Sequence, residues 1–178
     1  MLVNAFKFIF VLVIAGVFMP SHASEKNELT SKYFTNSQKV GEARMTYLFW
    51  DVYDATLYAP QGQWRSDMPF ALQLSYLRKL HGEAIAERSI DEIRKQGFED
   101  DTKLSQWYQS MRELFPDVTK GQSLTGIADQ SRKTHFYLDD QLIGSIDDPL
   151  FTQYFFDIWL SEQTSQPKMR KQLLGEKG

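Results

Sequence analysis

Between Gly41 and Pro60 the chain sets one arginine, Arg44, into a run rich in Met45, Tyr47, Phe49, Trp50, Tyr53 and Tyr58, with no Gly or Pro to interrupt it. In extended backbone, alternate side chains face opposite ways. Ala43, Met45, Tyr47, Phe49, Tyr53, Ala55 and Leu57 then share one side, with Arg44, Thr46, Leu48, Trp50, Val52 and Tyr58 on the other. Large apolar groups on both sides predict strands in a sheet covered on both faces. A guanidinium there either reaches water or meets an anion. In the first case it pairs with a neighbouring acid such as Glu42 or Asp54. In the second its planar fork holds a ligand carboxylate through two donors.

Other chemistry is sparsely provided. Beyond residue 23 the histidines are His81 and His135, far apart and without a second ligand at helical spacing, so no metal site is expected. There is no cysteine, hence no disulfide, thiolate nucleophile or thiolate metal site. Gly121 and Gly126 lack the lysine and the strand-to-helix setting of a phosphate cradle, and no serine stands in a nucleophile elbow. Asp139, Asp140, Asp147 and Asp148 are accounted for by a turn and a helix cap. No cofactor is expected.

Residues 1–23 read as a secretory signal. Lys7 supplies the positive start, Phe8 to Phe18 the apolar run, and Ser21-His22-Ala23 the small-x-small cleavage site, so the exported chain would begin at Ser24 in the periplasm with no integral membrane segment. The whole chain carries a net charge of −3, which argues against general affinity for nucleic acid. What remains is long enough for a single domain with one substantial core. Residues 24–38 are polar and aperiodic and read as a flexible leader, with the domain occupying 39–178.

The elements that must position Arg44 follow from periodicity. After the first strand pair, Pro60, Gly62, Asp67 and Pro69 mark a loop, and Phe70 to Leu77 alternates as a half-buried strand. Glu83 to Gln96 carries Ile85, Ala86, Ile90 and Ile93 as a helical stripe ending at Gly97. A second helix follows the cap candidate Thr102, with Leu104, Trp107, Met111 and Leu114 at helical spacing, and Pro116 stops it. Strands are expected over Leu124 to Ala128, Lys133 to Leu138 and Gln141 to Ile146, with Asp139-Asp140 turning the hairpin. Asp148 and Pro149 open a broad apolar helix, and Pro167 to Leu174 forms a last short one. The order of strands and helices predicts an α+β domain, a largely antiparallel sheet covered by helices.

In that order, Gly41 to Tyr58, Phe70 to Gly97 and Phe136 to Gly175 resemble the chalcone isomerase family. The most specific stretch is Phe136-Tyr137-Leu138-Asp139-Asp140-Gln141-Leu142-Ile143-Gly144-Ser145-Ile146, followed by Ile158-Trp159-Leu160 and Leu173-Leu174-Gly175. The resemblance implies an open-faced β-sandwich. It places the family's active-site arginine on Arg44 and its strand threonine on Tyr53. The catalytic tyrosine falls close to Ile85, the asparagine near Glu92, and the late-helix hydroxyl residue on Thr152. Isoleucine can donate nothing to a developing oxyanion, so efficient flavonoid isomerisation is not expected. A non-catalytic binder of a fatty acid or similar amphiphilic carboxylate is the first reading, with Arg44, Tyr53, Tyr76 and Thr152 as candidate ligand residues. The alternatives are an isomerase or lyase on a non-flavonoid substrate, with Tyr53 or Tyr76 as proton donor, and an interaction module for an envelope protein.

Overall fold

A computed structural model of the chain describes residues 29–176. Six strands form one antiparallel sheet in sequence order: β1 (Ser37–Tyr47), β2 (Trp50–Pro60), β3 (Phe70–Tyr76), β4 (Ser123–Ala128), β5 (Thr134–Leu138) and β6 (Gln141–Ile146). Two helices separate β3 from β4, namely α1 (Gly82–Lys95) and α2 (Asp101–Leu114). Two more, α3 (Pro149–Leu160) and α4 (Pro167–Leu173), follow the sheet. The open antiparallel sheet under helices is the expected fold class.

One face of the sheet carries the main core. Ala55, Leu57, Phe70, Leu72, Leu124 and Phe136 point toward the helices, because period-2 alternation delivers an apolar residue to that face at every second position. From above, α3 contributes Phe151, Phe155, Phe156 and Trp159. Phe155 packs edge-on against Phe136 and Trp159 at centroid separations of 5.3 and 5.5 Å. Asp148 starts this helix by accepting from the backbone N–H groups of Leu150 and Phe151, with Pro149 at the first position, as expected. In α2 the cap is Asp100, which accepts from Lys103, and not Thr102. Asp100 stands one turn ahead of the first buried residue, Leu104, and that register decides which side chain serves as the cap.

At β1 the helix α4 comes in close. A Cβ on Gly41 would collide with the backbone carbonyls of Gln172 and Leu173, so the absence of a side chain lets helix backbone rest on strand backbone. The hairpin joining β1 to β2 turns at Leu48 and Phe49, with Leu48 at φ +55°.

The expectation of a flexible leader to Gln38 is overturned for residues 29–38. Phe34 is buried against Ala71, Ile127 and Tyr137 on the sheet face away from the helices. Tyr33 shares a 2.7 Å hydrogen bond with Tyr137, and Thr30 is also buried. β1 itself begins at Ser37. Two aromatic side chains anchor what looked aperiodic, since a short docking segment needs no internal repeat. The secretory signal expected over 1–23 lies outside the described residues.

Candidate functional site

The inner face of β1 to β3, the underside of α1 and the C-terminal half of α3 enclose a cavity of about 330 Å³. Tyr53 and Tyr76 form directly opposed partners across the β2–β3 ladder, with their rings edge to face at 6.0 Å. Leu74 and Leu124 line the cavity beside them on the sheet. From α3 come Phe155, Ile158 and Trp159, and from α1 come Ile85, Arg88 and Glu92. Nearly everything facing inward is hydrocarbon or aromatic ring, and polar atoms enter at a few points only.

Two of those points are phenols. The Tyr53 hydroxyl accepts the indole N–H of Trp159 at 3.0 Å and keeps its own proton for donation. Burial pushes its pKa up to about 12, with the Trp159 hydrogen bond opposing. The Tyr76 hydroxyl has no hydrogen-bond partner among the described residues, and burial drives its pKa further upward. Both are therefore hydrogen-bond donors near neutrality and poor proton acceptors.

The third point is a charged cluster on α1. Glu92 is buried, and its Oε1 meets Arg88 Nη2 at 2.6 Å and Lys95 Nζ at 3.0 Å, while Oε2 accepts from Ser165 at 2.6 Å. Burial pushes the Glu92 carboxyl up, but the bonds from Ser165 and Lys95 and the charge of Arg88 outweigh it and hold the pKa below the usual range. Two cations meet one carboxylate here, so the cluster carries one positive charge in excess. Arg88 is half exposed and also lines the cavity, and Arg78 joins it at the edge.

Of the residues singled out in the sequence, Tyr53 and Tyr76 stand in the cavity. Arg44 does not. It lies on the opposite face of the sheet, half exposed, donating to both oxygens of Asp54 from Nε at 2.7 Å and Nη2 at 2.9 Å and to Asp51 from Nη1 at 3.1 Å. The reason is parity: Arg44 opposes Asp54 in the β1–β2 register, whereas Met45 opposes Tyr53. Nor does Thr152 line the cavity. It is fully buried at the start of α3, donating to the Arg132 carbonyl at 2.6 Å and bonded to Thr134 at 2.7 Å, which ties the helix to β5. Arg88 was missed in the sequence. Ile85, Arg88, Ser89 and Glu92 recur at helical spacing, but the stripe drawn through Ile85, Ala86, Ile90 and Ile93 left Arg88 unassigned.

An open antiparallel sheet with helices packed over one face and an apolar hollow between them defines the open-faced β-sandwich class. The family model described as chalcone isomerase-like matches residues 40–175. This chain belongs to the chalcone isomerase-like family. It is 30% identical over 144 residues to an uncharacterized protein of Haemophilus influenzae, covering 80% of this chain and 70% of that protein. Its fold is similar to the crystal structure of a fatty-acid binding protein of Arabidopsis thaliana, at TM-score 0.62 and 13% identity over 79% of this chain and 88% of that one. At such identity the likeness concerns the fold.

Proposed function

We propose that this protein is an exported, non-catalytic binder of an amphiphile with a long apolar tail and an anionic head, a fatty acid being the simplest case. One observation carries the reading: an apolar cavity of about 330 Å³ whose rim holds Arg88, a cation paired with the buried Glu92, whose carboxylate Lys95 also contacts. Burying about ten methylenes at about 0.8 kcal/mol each provides roughly 8 kcal/mol, from which several are lost to immobilisation. The tail supplies the affinity. The cation fixes which end stays at the mouth, since an ion pair near water adds little net energy. Further support comes from the similar fold of the Arabidopsis fatty-acid binding protein. Against turnover, Ile85 lines the cavity near where the resemblance puts a catalytic tyrosine, and both phenols hold their protons too tightly for base catalysis.

The test is a titration with hexadecanoic acid and with hexadecanol. Wild type binds both saturably, and Arg88→Gln weakens the acid about tenfold while leaving the alcohol within about twofold, the effect of losing one charge-assisted contact. Equal losses for both ligands, or no saturable binding of either, overturn the reading. Sequencing of the N-terminus of periplasmic material tests export, with Ser24 expected first.

A further inference from the structure

The turn between β1 and β2 presents Tyr47, Leu48, Phe49 and Trp50 to solvent at 59, 74, 94 and 62% exposure. Four consecutive large apolar side chains at a hairpin tip contribute nothing to the core. Local turn chemistry does not ask for them either. Leu48 is at φ +55° and Phe49 is not in the left-handed region, and the first central position of such a two-residue turn favours glycine. A leucine held there against its backbone preference points to a use for its side chain outside the fold.

The surroundings indicate the occupant. Arg78 lies over the Trp50 ring at 5.3 Å from its centroid, and the adjacent Lys79 is also exposed. Behind the tip, Arg44 holds Asp54 and Asp51, and Thr46 donates to Asp51 at 2.9 Å, so the two acids are drawn onto one guanidinium. Arg78, Lys79 and Arg44 outnumber Asp51 and Asp54 by one around the tip, although the chain as a whole is acidic. Trp and Tyr flanking a Leu-Phe knuckle, with Arg and Lys beside them, is the composition that settles at the boundary between lipid headgroups and acyl chains. The tip also adjoins the cavity, which Tyr47 lines together with Arg78 and, next along β2, Val52. Among the described residues no helix is long and apolar enough to cross a membrane, so contact with a bilayer would be peripheral.

We propose that the β1–β2 hairpin tip inserts into the interfacial layer of a bilayer containing anionic lipid and sets the cavity mouth against it, so that an amphiphile passes between membrane and cavity without crossing water. The transfer part rests on the amphiphile-binding reading; the docking part does not.

The experiment is flotation of the protein beginning at Ser24, which retains every strand and helix described above, with vesicles of phosphatidylcholine alone and of phosphatidylcholine with 30% phosphatidylglycerol. Wild type is expected to float with the anionic vesicles and several-fold less with the neutral ones. Leu48→Gly/Phe49→Ser, which suits the turn backbone, should partition at least tenfold less to anionic vesicles with unchanged circular dichroism. Arg78→Gln/Lys79→Gln should erase the preference for anionic lipid. Hexadecanoic acid titrated in vesicle-free buffer reads the cavity separately, so loss of flotation with intact acid binding identifies the tip alone. A tip variant that floats as well as wild type overturns the proposal, as does a wild type that floats with neither vesicle. A wild-type dimer that becomes monomeric in the tip variant, with flotation unchanged, assigns the surface to a second copy of the chain and equally overturns it.

Discussion

Arg44 and Asp54 face one another across the β1–β2 ladder, and the guanidinium donates to both carboxylate oxygens, at 2.7 and 2.9 Å. The pair is solvated on the face away from the helices, so it has no route to the cavity. Arg44→Ala is therefore expected to leave hexadecanoic acid affinity within about twofold of wild type, where Arg88→Gln lowers it about tenfold. Its cost in stability should be the small one of a solvent-screened pair, read by chemical denaturation. A large loss of acid affinity in Arg44→Ala with normal stability would return the anion site to this residue.

Tyr53 and Tyr76 are chemically alike and neighbours, but their hydroxyls differ in what depends on them. Tyr53→Phe leaves the Trp159 indole N–H without its acceptor and is expected to cost about 1–3 kcal/mol. Tyr76→Phe removes a hydroxyl that has no protein partner among the described residues, and stability should stay within about 0.5 kcal/mol. Urea unfolding of the two variants side by side reads the difference. In wild type the raised Tyr53 pKa stabilises the fold fully below the ordinary tyrosine value of 10.0, and this is lost as pH rises toward about 12. Tyrosinate absorbance should accordingly lag in the folded protein and jump on unfolding.

Glu92 imposes an acid limit. Its folded pKa lies below the ordinary glutamate value of 4.5, so its stabilisation is complete above that value and fades as pH falls through the folded pKa. Glu92→Gln should cost about 1–3 kcal/mol at pH 7, because Arg88, Lys95 and Ser165 lose a charged acceptor. The gap between wild type and variant should close as pH falls through the lowered folded pKa of Glu92. A gap that is constant with pH would mean that Glu92 acts through packing alone.

Gly41 is where α4 reaches the sheet. Gly41→Ala places a methyl group against the carbonyls of Gln172 and Leu173 and should cost about 1–3 kcal/mol, read as a fall in Tm of several degrees. The same substitution at Gly97, where an added Cβ meets nothing within 4 Å, acts only through its positive φ and serves as the comparison.

Much of the architecture was legible in the order of residues because its causes are local. Asp148 and Pro149 start α3 as read, Asp139-Asp140 turns the last hairpin, and alternation in Phe70 to Tyr76 delivers one strand face to the core. The same alternation had already put Arg44 and Tyr53 on opposite faces, and only the resemblance drew them into one site. Residues 29–38 escaped notice because Tyr33 and Phe34 gain their place from Tyr137, Ala71 and Ile127, distant in sequence.

The chain's periodicities and turn signals were sufficient to determine most elements and their order, since each depends on residues a few positions apart, and the resemblance of particular stretches pointed to the family. Which charged group meets the cavity was decided only when α1 lay across β1 to β3. That packing brought Arg88 and Glu92 over Tyr53 and Tyr76 and left Arg44 on the far side of the sheet. A side chain's direction along its own strand is a local matter. What lies opposite it depends on long-range packing, which no short spacing encodes.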